Sequence, residues 1–217
     1  EPDPAAALLD APVISTYNAF AGALFRENAA LAGQDGDAVV LSEASAWLLA
    51  RELVRGSDDL RLVETEKRVD DVTGAVIRIA ASLAENVADG PAVAAYSDAF
   101  VAHAQALPPG GRGEYGLADT VARVRDLPVL VDLAARFDEL KRERGYLQFS
   151  DQLVSVLRLL RAHPRVGDVV RDRYRAVILD EYQDTSVVQA RVLAELFAGR
   201  SVMAVGDPHQ AIYGWRG

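Results

Sequence analysis

Acidic residues follow two short apolar runs near the end of the chain, and their types suit metal-assisted chemistry. Asp180 and Glu181 come directly after the apolar residues 177–179, and Gly206-Asp207 follows residues 202–205. A carboxylate combined with phosphate oxygens suits Mg²⁺, and a second carboxylate can orient and deprotonate an attacking water. The pair therefore indicates a nucleoside triphosphate site, although two solvated acids at a strand end would show the same spacing.

The elements around these acids are predicted from pattern and length. Both apolar runs are too short for a helix and are predicted to be buried parallel strands. Between them, apolar positions four residues apart predict a helix that Thr185 or Ser186 caps and that Gly199 ends in the left-handed conformation. In open α/β sheets ligands bind outside the carboxyl ends of the strands, where both groups of acids fall.

The two blocks around these strand ends resemble a known family. Residues 180–186, DEYQDTS, and residues 205–217, VGDPHQAIYGWRG, resemble motifs II and III of the UvrD/Rep-like superfamily 1 DNA helicases. Residues 15–21 and 145–151 resemble that family's motif Ib and the stretch upstream of motif II. The resemblance implies an α/β fold: an incomplete parallel-sheet P-loop (RecA-like) motor domain with a large all-helical insertion.

The resemblance also implies cofactors and residue roles. ATP and Mg²⁺ are the expected cofactors, with Asp180 holding the metal, Glu181 acting as general base and Gln210 contacting the γ-phosphate in a catalytic and ATP-binding role. The residues implied to contact DNA are Thr16, Tyr17, Asn18, Tyr213, Trp215 and Arg216. Asn18 stands where the family has histidine, so it keeps hydrogen bonding and loses the ring. His209 makes the second block more similar to the recombination helicase-nucleases than to the repair helicases.

A phosphate-binding loop with the pattern Gly-x-x-x-x-Gly-Lys-Ser/Thr is missing from these 217 residues. The two lysines, Lys67 and Lys141, lie in other contexts. We therefore expect a fragment of an ATP-dependent DNA helicase that is inactive alone. The resemblance implies translocation on single-stranded DNA in the 3′-to-5′ direction, in repair or recombination.

The expected substrate is single-stranded or partially duplex DNA, with a possible second helicase or nuclease subunit as partner. Two other classes of function remain open from the residues. One is a non-catalytic DNA-binding or partner-docking module from a degenerate helicase. The other is a metal-dependent hydrolase that uses Asp180, Glu181 and Asp184.

Composition limits the class of protein. Half of the 217 residues are hydrophobic, the net charge is −9 and cysteine is absent. The negative charge argues against a surface that coats nucleic acid generally, so DNA contacts are expected to be local. No apolar run reaches the roughly 18 residues of a membrane span. Acids near the N-terminus are unlike a secretory signal, and a cytoplasmic protein without membrane contact is expected.

The middle of the chain carries helical periodicity. Residues 13–15 are predicted to form a strand, and residues 20–145 helices without a strand. This pattern divides the chain into residues 1–19 as the first part of motor domain 1A, residues 20–145 as an inserted helical 1B-like domain, and residues 146–217 as the return to the motor domain. The domain names come from the resemblance.

Three local predictions concern this middle region and its end. Val93, Tyr96 and Phe100 are predicted to form a packing stripe on one helix. The charged residues 138–144 are predicted to be a solvated helix face. Ser150 is predicted to cap a helix that runs to about residue 163.

Overall fold

The protein is a helix-rich α/β molecule with two small parallel sheets. The computed structural model describes residues 12–34, 36, 38–107 and 114–211. The helices are α1 Tyr17–Asn28, α2 Glu43–Arg55, α3 Arg61–Glu64, α4 Val69–Asn86, α5 Gly90–Ala106, α6 Glu114–Arg125, α7 Leu127–Glu143, α8 Phe149–Ala162, α9 Pro164–Arg173 and α10 Val187–Phe197. The strands are β1 Val39–Val40, β2 Tyr146–Leu147, β3 Ala176–Leu179 and β4 Ser201–Ala204.

The β3–α10–β4 unit forms as its pattern predicts. β3 and β4 pair in parallel, from Ala176 opposite Ser201 to Leu179 opposite Ala204. Ser186 caps α10 and accepts a hydrogen bond from the Gln189 amide, and the chain leaves the helix through Gly199 at φ 74°. Local capping signals fix both ends of this helix, because each needs a side chain or a glycine within a few residues.

The prediction that β3 and β4 are buried is wrong for most of their residues. Leu179 is buried, whereas Ile178 is 68% exposed and Met203 is 55% exposed. A parallel strand is buried when elements cover both faces of its sheet. In the part of the chain that the structure describes, this two-stranded sheet has an uncovered face.

The β1–β2 pair corrects the expectation of a strand-free region between residues 20 and 145. Val39 and Val40 pair in parallel with Tyr146 and Leu147. Gly145, at φ 68°, turns the chain after α7, and its carbonyl accepts a hydrogen bond of 3.0 Å from the Val39 amide. A two-residue strand is too short to show alternation, so a long-range contact specifies it.

Residues 13–15, in contrast, form no strand. Val13 is 65% exposed and Ile14 is 94% exposed, and no described strand lies beside them. Because a strand exists through pairing with a neighbour, an apolar run without a partner stays irregular.

The buried side chains form two clusters. The first joins α1, β2, α8, α9 and α10, with Phe25, Leu157 and Leu196 among its least exposed members. The second joins α2, α4 and α7 around Val76 and Phe137. Contacts of α4 with α8 and α10 connect the helices of the two clusters.

The charged run after Phe137 is not a solvated face throughout. Lys141 is 2% exposed, and its ammonium lies 2.9 Å from Asp138 and 2.7 Å from Asp151. Lys141 also donates to the Gln148 side-chain oxygen at 2.9 Å. The prediction missed this because position 141 follows Phe137 by four residues and so shares its buried helix face.

Two further expectations are corrected at helix level. Gln148 caps α8 in place of Ser150, because the Asp151 carboxylate accepts from the Gln148 amide at 2.8 Å and completes a capping box. On α5 the buried residue is Ser97, whose hydroxyl donates to the Val124 carbonyl at 2.6 Å, while Tyr96 is 74% exposed. Periodicity located α5 correctly. Val93 and Phe100 of the predicted stripe are half-buried on the same helix face as Ser97, whereas Tyr96 lies off that face.

The helices in the described ranges include none that is long and apolar enough to cross a membrane.

Candidate active site

The carboxyl ends of β3 and β4 bring the two groups of acids together. Parallel pairing in register places Asp180-Glu181 beside Gly206-Asp207. Backbone hydrogen bonds continue beyond the strands: the Val205 amide donates to the Leu179 carbonyl at 2.7 Å, and the Tyr182 amide donates to the Val205 carbonyl at 2.9 Å. The two loops are therefore held against each other by main-chain contacts.

Asp180 offers one exposed carboxylate at this edge. Its Oδ1 accepts a hydrogen bond of 3.0 Å from the Glu181 amide, and its Oδ2 has no partner among the residues that the structure describes. One free carboxylate oxygen fits the way Mg²⁺ binds beside phosphates, with one or two protein carboxylates and substrate oxygens. Thus Asp180 fits a Mg²⁺–ATP site.

An all-protein metal site fits less well. The described ranges contain no group of three His, Cys, Asp or Glu residues placed to hold a metal. The Oδ1 atom of Asp184 is buried without a hydrogen-bond partner among the same residues.

Glu181 has an unusual backbone conformation. Its φ of 52° and ψ of 39° lie in the left-handed region, which costs a residue with a side chain roughly 1–2 kcal/mol. Glu181 is exposed, and its Oε2 accepts a hydrogen bond of 2.5 Å from the Gln183 side-chain nitrogen. A single side-chain contact thus orients this carboxylate.

Gln183 bridges the two loops, a role that sequence reasoning did not assign. Its side-chain oxygen accepts a hydrogen bond of 3.1 Å from the Asp207 amide. A methyl group at Gly206 would overlap that oxygen and would lie 3.1 Å from the Gln183 backbone nitrogen. The glycine before Asp207 was the signal available in the sequence, because close backbone approach favours glycine.

Asp207 carries the contacts on to Gln210. Its Oδ1 accepts from the His209 amide at 2.9 Å, and its Oδ2 accepts from the Gln210 side-chain nitrogen at 2.9 Å. Residues Pro208–Gln210 form a 3₁₀ turn that keeps Gln210 exposed. The structure therefore links Glu181 to Gln210 through Gln183 and Asp207.

The first turn of α1 lies against this site. Thr16 caps α1 by accepting from the Ala19 amide at 3.1 Å. The Tyr17 hydroxyl donates to the Asp180 main-chain carbonyl at 2.7 Å, and burial raises the pKa of Tyr17 above its usual value. Asn18 accepts from the Gln189 side chain at 2.9 Å. DNA contact by Thr16, Tyr17 and Asn18 stays a prediction.

The remaining predicted DNA contacts, Tyr213, Trp215 and Arg216, lie outside the described residues. Their roles stay predictions as well.

Comparison with known proteins assigns the chain to a family. The model of the UvrD/REP helicase N-terminal domain matches residues 4–217. RecBCD enzyme subunit RecB from Mycobacterium tuberculosis is 42% identical over 85 residues, which are 37% of this chain and 8% of that protein. A probable DNA helicase II homolog from Rickettsia felis is 43% identical over 74 residues, or 33% of this chain and 11% of that protein.

A third relative is a helicase-nuclease subunit. Exonuclease/helicase subunit RexA from Lactococcus lactis is 33% identical over 87 residues, 40% of this chain and 7% of that protein. The match to these three relatives thus covers 7–11% of their lengths. The family model, in contrast, extends over almost all of the chain and includes both acid-bearing strand ends. This chain belongs to the UvrD/REP helicase N-terminal domain family.

Proposed function

We propose that the chain is part of the motor of an ATP-dependent DNA helicase that translocates 3′ to 5′ on single-stranded DNA in repair or recombination. The observation that carries this proposal is the placement of Asp180, Glu181 and the Gln210 turn at one sheet edge in a member of this family. These are three of the groups that enzymes use for phosphoryl transfer to water: a metal ligand, a base and a group that positions the water.

Each residue has a distinct part in the proposed reaction. The free carboxylate oxygen of Asp180 would hold Mg²⁺, and the bound ion would neutralise charge on the phosphates. Glu181 orients the attacking water and accepts its proton. Gln210 donates from its amide to a phosphate oxygen and accepts from the same water, so its contacts differ before and after hydrolysis.

DNA contact is proposed at two places. The first turn of α1 lies against Asp180 through the Tyr17 hydroxyl, so a strand bound there would lie close to the nucleotide. Tyr213 and Trp215 would stack on bases without reading sequence, with Arg216 on a phosphate. The names RecBCD enzyme subunit RecB and exonuclease/helicase subunit RexA support DNA as substrate and a second subunit as partner.

The domain division is proposed together with the motor. Residues 20–145 would be an insertion between residues 1–19 and 146–217 of the motor domain. The second core cluster, whose buried residues all come from helices α2, α4 and α7, supports an inserted unit. The helix α1 crosses the boundary at residue 20, and its buried residues pack in the first cluster.

The proposal is tested by replacing the general base in the intact protein. Glu181→Gln keeps the size and hydrogen bonding of the side chain but cannot take a proton from water. We expect ATP binding to persist and single-strand-stimulated hydrolysis to fall by about 10²-fold or more. Glu139→Gln, the same change at an exposed position on α7, is the matched control and should hydrolyse ATP normally.

Residues 1–217 alone should show background turnover, because they contain no phosphate-binding lysine loop. Hydrolysis by Glu181→Gln at the control's rate would contradict the proposed base. An intact protein that binds single strands without hydrolysing ATP would instead indicate the non-catalytic module.

A further inference from the structure

We propose that Gln183 is a positioning residue that orients Glu181 and couples it to the Gln210 turn, so that the base is set in place by the loop that senses phosphate. This inference rests on the proposed function. It adds a role for a side chain that touches neither the metal nor the nucleotide in that mechanism.

The contacts of Gln183 define its orientation without ambiguity. Its nitrogen lies 2.5 Å from Glu181 Oε2, and its oxygen lies 3.1 Å from the Asp207 amide nitrogen. A carboxylate accepts hydrogen bonds and a backbone N–H donates them, so the reverse amide orientation would lose both contacts. Gln183 is therefore a two-ended link with a fixed direction.

The backbone around Gln183 leaves little freedom for other arrangements. The Tyr182 amide donates to the Val205 carbonyl at 2.9 Å and ties the two loops beside the link. Gly206 provides the space that the Gln183 oxygen occupies. A shift of the Asp207 amide must therefore move the Gln183 side chain or break its contact.

The link continues from Asp207 to Gln210, the residue proposed to contact the γ-phosphate. Asp207 accepts from the Gln210 side chain at 2.9 Å, so Gln210 must exchange this contact for one to the γ-phosphate. The exchange releases Asp207, whose amide holds Gln183. Coupling between two sites is reciprocal, so the state of Gln210 biases Glu181 and the state of Glu181 biases Gln210.

The first test is Gln183→Glu in the intact protein. This change retains an acceptor for the Asp207 amide, removes the donor and sets a second carboxylate beside Glu181. We expect kcat for ATP hydrolysis to fall about 10- to 100-fold, the usual effect of losing an orienting partner. KM for ATP, single-strand affinity and the melting temperature should be unchanged. Gln105→Glu, at an exposed position on α5, is the matched control and should retain wild-type kcat.

The second test leaves the side chains of Gln183 and Glu181 intact. Gly206→Ala should displace the Gln183 oxygen and lower kcat in the same way. If both changes break one link, the double variant should be no slower than the slower single variant, because effects within one unit are not additive. If Gln183→Glu does not fold, Gly206→Ala alone tests whether Gln183 orients Glu181.

Three outcomes would overturn the inference while leaving the proposed function intact, provided that wild type hydrolyses ATP and Glu181→Gln does not. The first is wild-type kcat in both Gln183→Glu and Gly206→Ala. The second is a loss that appears in KM and not in kcat. The third is a double variant whose loss equals the product of the two single losses.

Discussion

Glu181 holds a left-handed backbone conformation because the surrounding turn fixes it. The Asp184 amide donates to the Glu181 carbonyl at 3.0 Å, and the Thr185 amide donates to the Tyr182 carbonyl at 3.1 Å. Residues in such conformations persist where neighbouring contacts determine them, and they concentrate at functional sites. The turn therefore fixes the backbone position of Glu181 at the sheet edge, and the contact with Gln183 orients its carboxylate.

Tyr17 connects the proposed DNA track to Asp180, the proposed metal ligand. Its hydroxyl donates to the main-chain carbonyl of Asp180, so this contact depends on the position of the Asp180 backbone. Burial raises the pKa of Tyr17 above its usual value. The folded state therefore favours the neutral phenol, and the stability that it contributes is present at neutral pH and lost as pH rises through the raised pKa.

We expect Tyr17→Phe to lower the free energy of unfolding by about 1 kcal/mol at pH 7, the usual net effect of one hydrogen bond. The difference from wild type should shrink above about pH 10, where the phenol of the unfolded chain ionises. Urea denaturation at both pH values measures it. Tyr96→Phe, which removes an exposed hydroxyl, should match wild type throughout, and a pH-independent difference for Tyr17→Phe would contradict this account.

The junction of α7 and α8 depends on one buried cation. Lys141 contacts Asp138 within α7 and Asp151 in the α8 capping box, and its ammonium lies 4.9 Å from the centre of the Phe137 ring. Burial is the main cause of a raised pKa at Asp138. The ammonium of Lys141 thus balances the charge of two carboxylates at the point where the chain passes from the second cluster to the first.

Lys141→Met should destabilise the protein by about 1–3 kcal/mol, because it leaves the partly buried carboxylates of Asp138 and Asp151 without their partner. The loss should decrease at acid pH, where the Asp138 carboxyl, whose pKa burial raises, becomes protonated. Arg142→Met, at the exposed neighbouring position, should change the free energy of unfolding by less than about 0.5 kcal/mol. Equal effects of the two variants in chemical denaturation would show that the Lys141 contacts contribute nothing specific.

Short-range signals determined which elements could be predicted. Ser186, one of the two predicted caps, caps α10, since a cap needs partners within three residues. Gln183 was visible within its motif, but its bridge to Asp207 joins residues 24 positions apart. The β1–β2 pair could not be predicted for the same reason, because no local sequence pattern predicts which distant segment pairs with a strand.

Over the whole molecule, the two core clusters pack different sets of helices. The first cluster packs α1, α8, α9 and α10, and α1 contacts the candidate site through the Tyr17 hydroxyl. The second packs α2, α4 and α7, and α4 contacts α8 and α10 of the first. The second cluster is therefore joined to the first through α4.

In the proposed function, ATP hydrolysis at Glu181 drives movement along one DNA strand. The most direct measurement is strand separation by the intact protein on partial duplexes that carry either a 3′ or a 5′ single-stranded tail, with Glu181→Gln in parallel. We expect wild type with ATP to unwind the 3′-tailed duplex and Glu181→Gln to bind it without unwinding. Unwinding of neither duplex by a folded protein that binds ATP and DNA, or unwinding by Glu181→Gln at the wild-type rate, would contradict the claim.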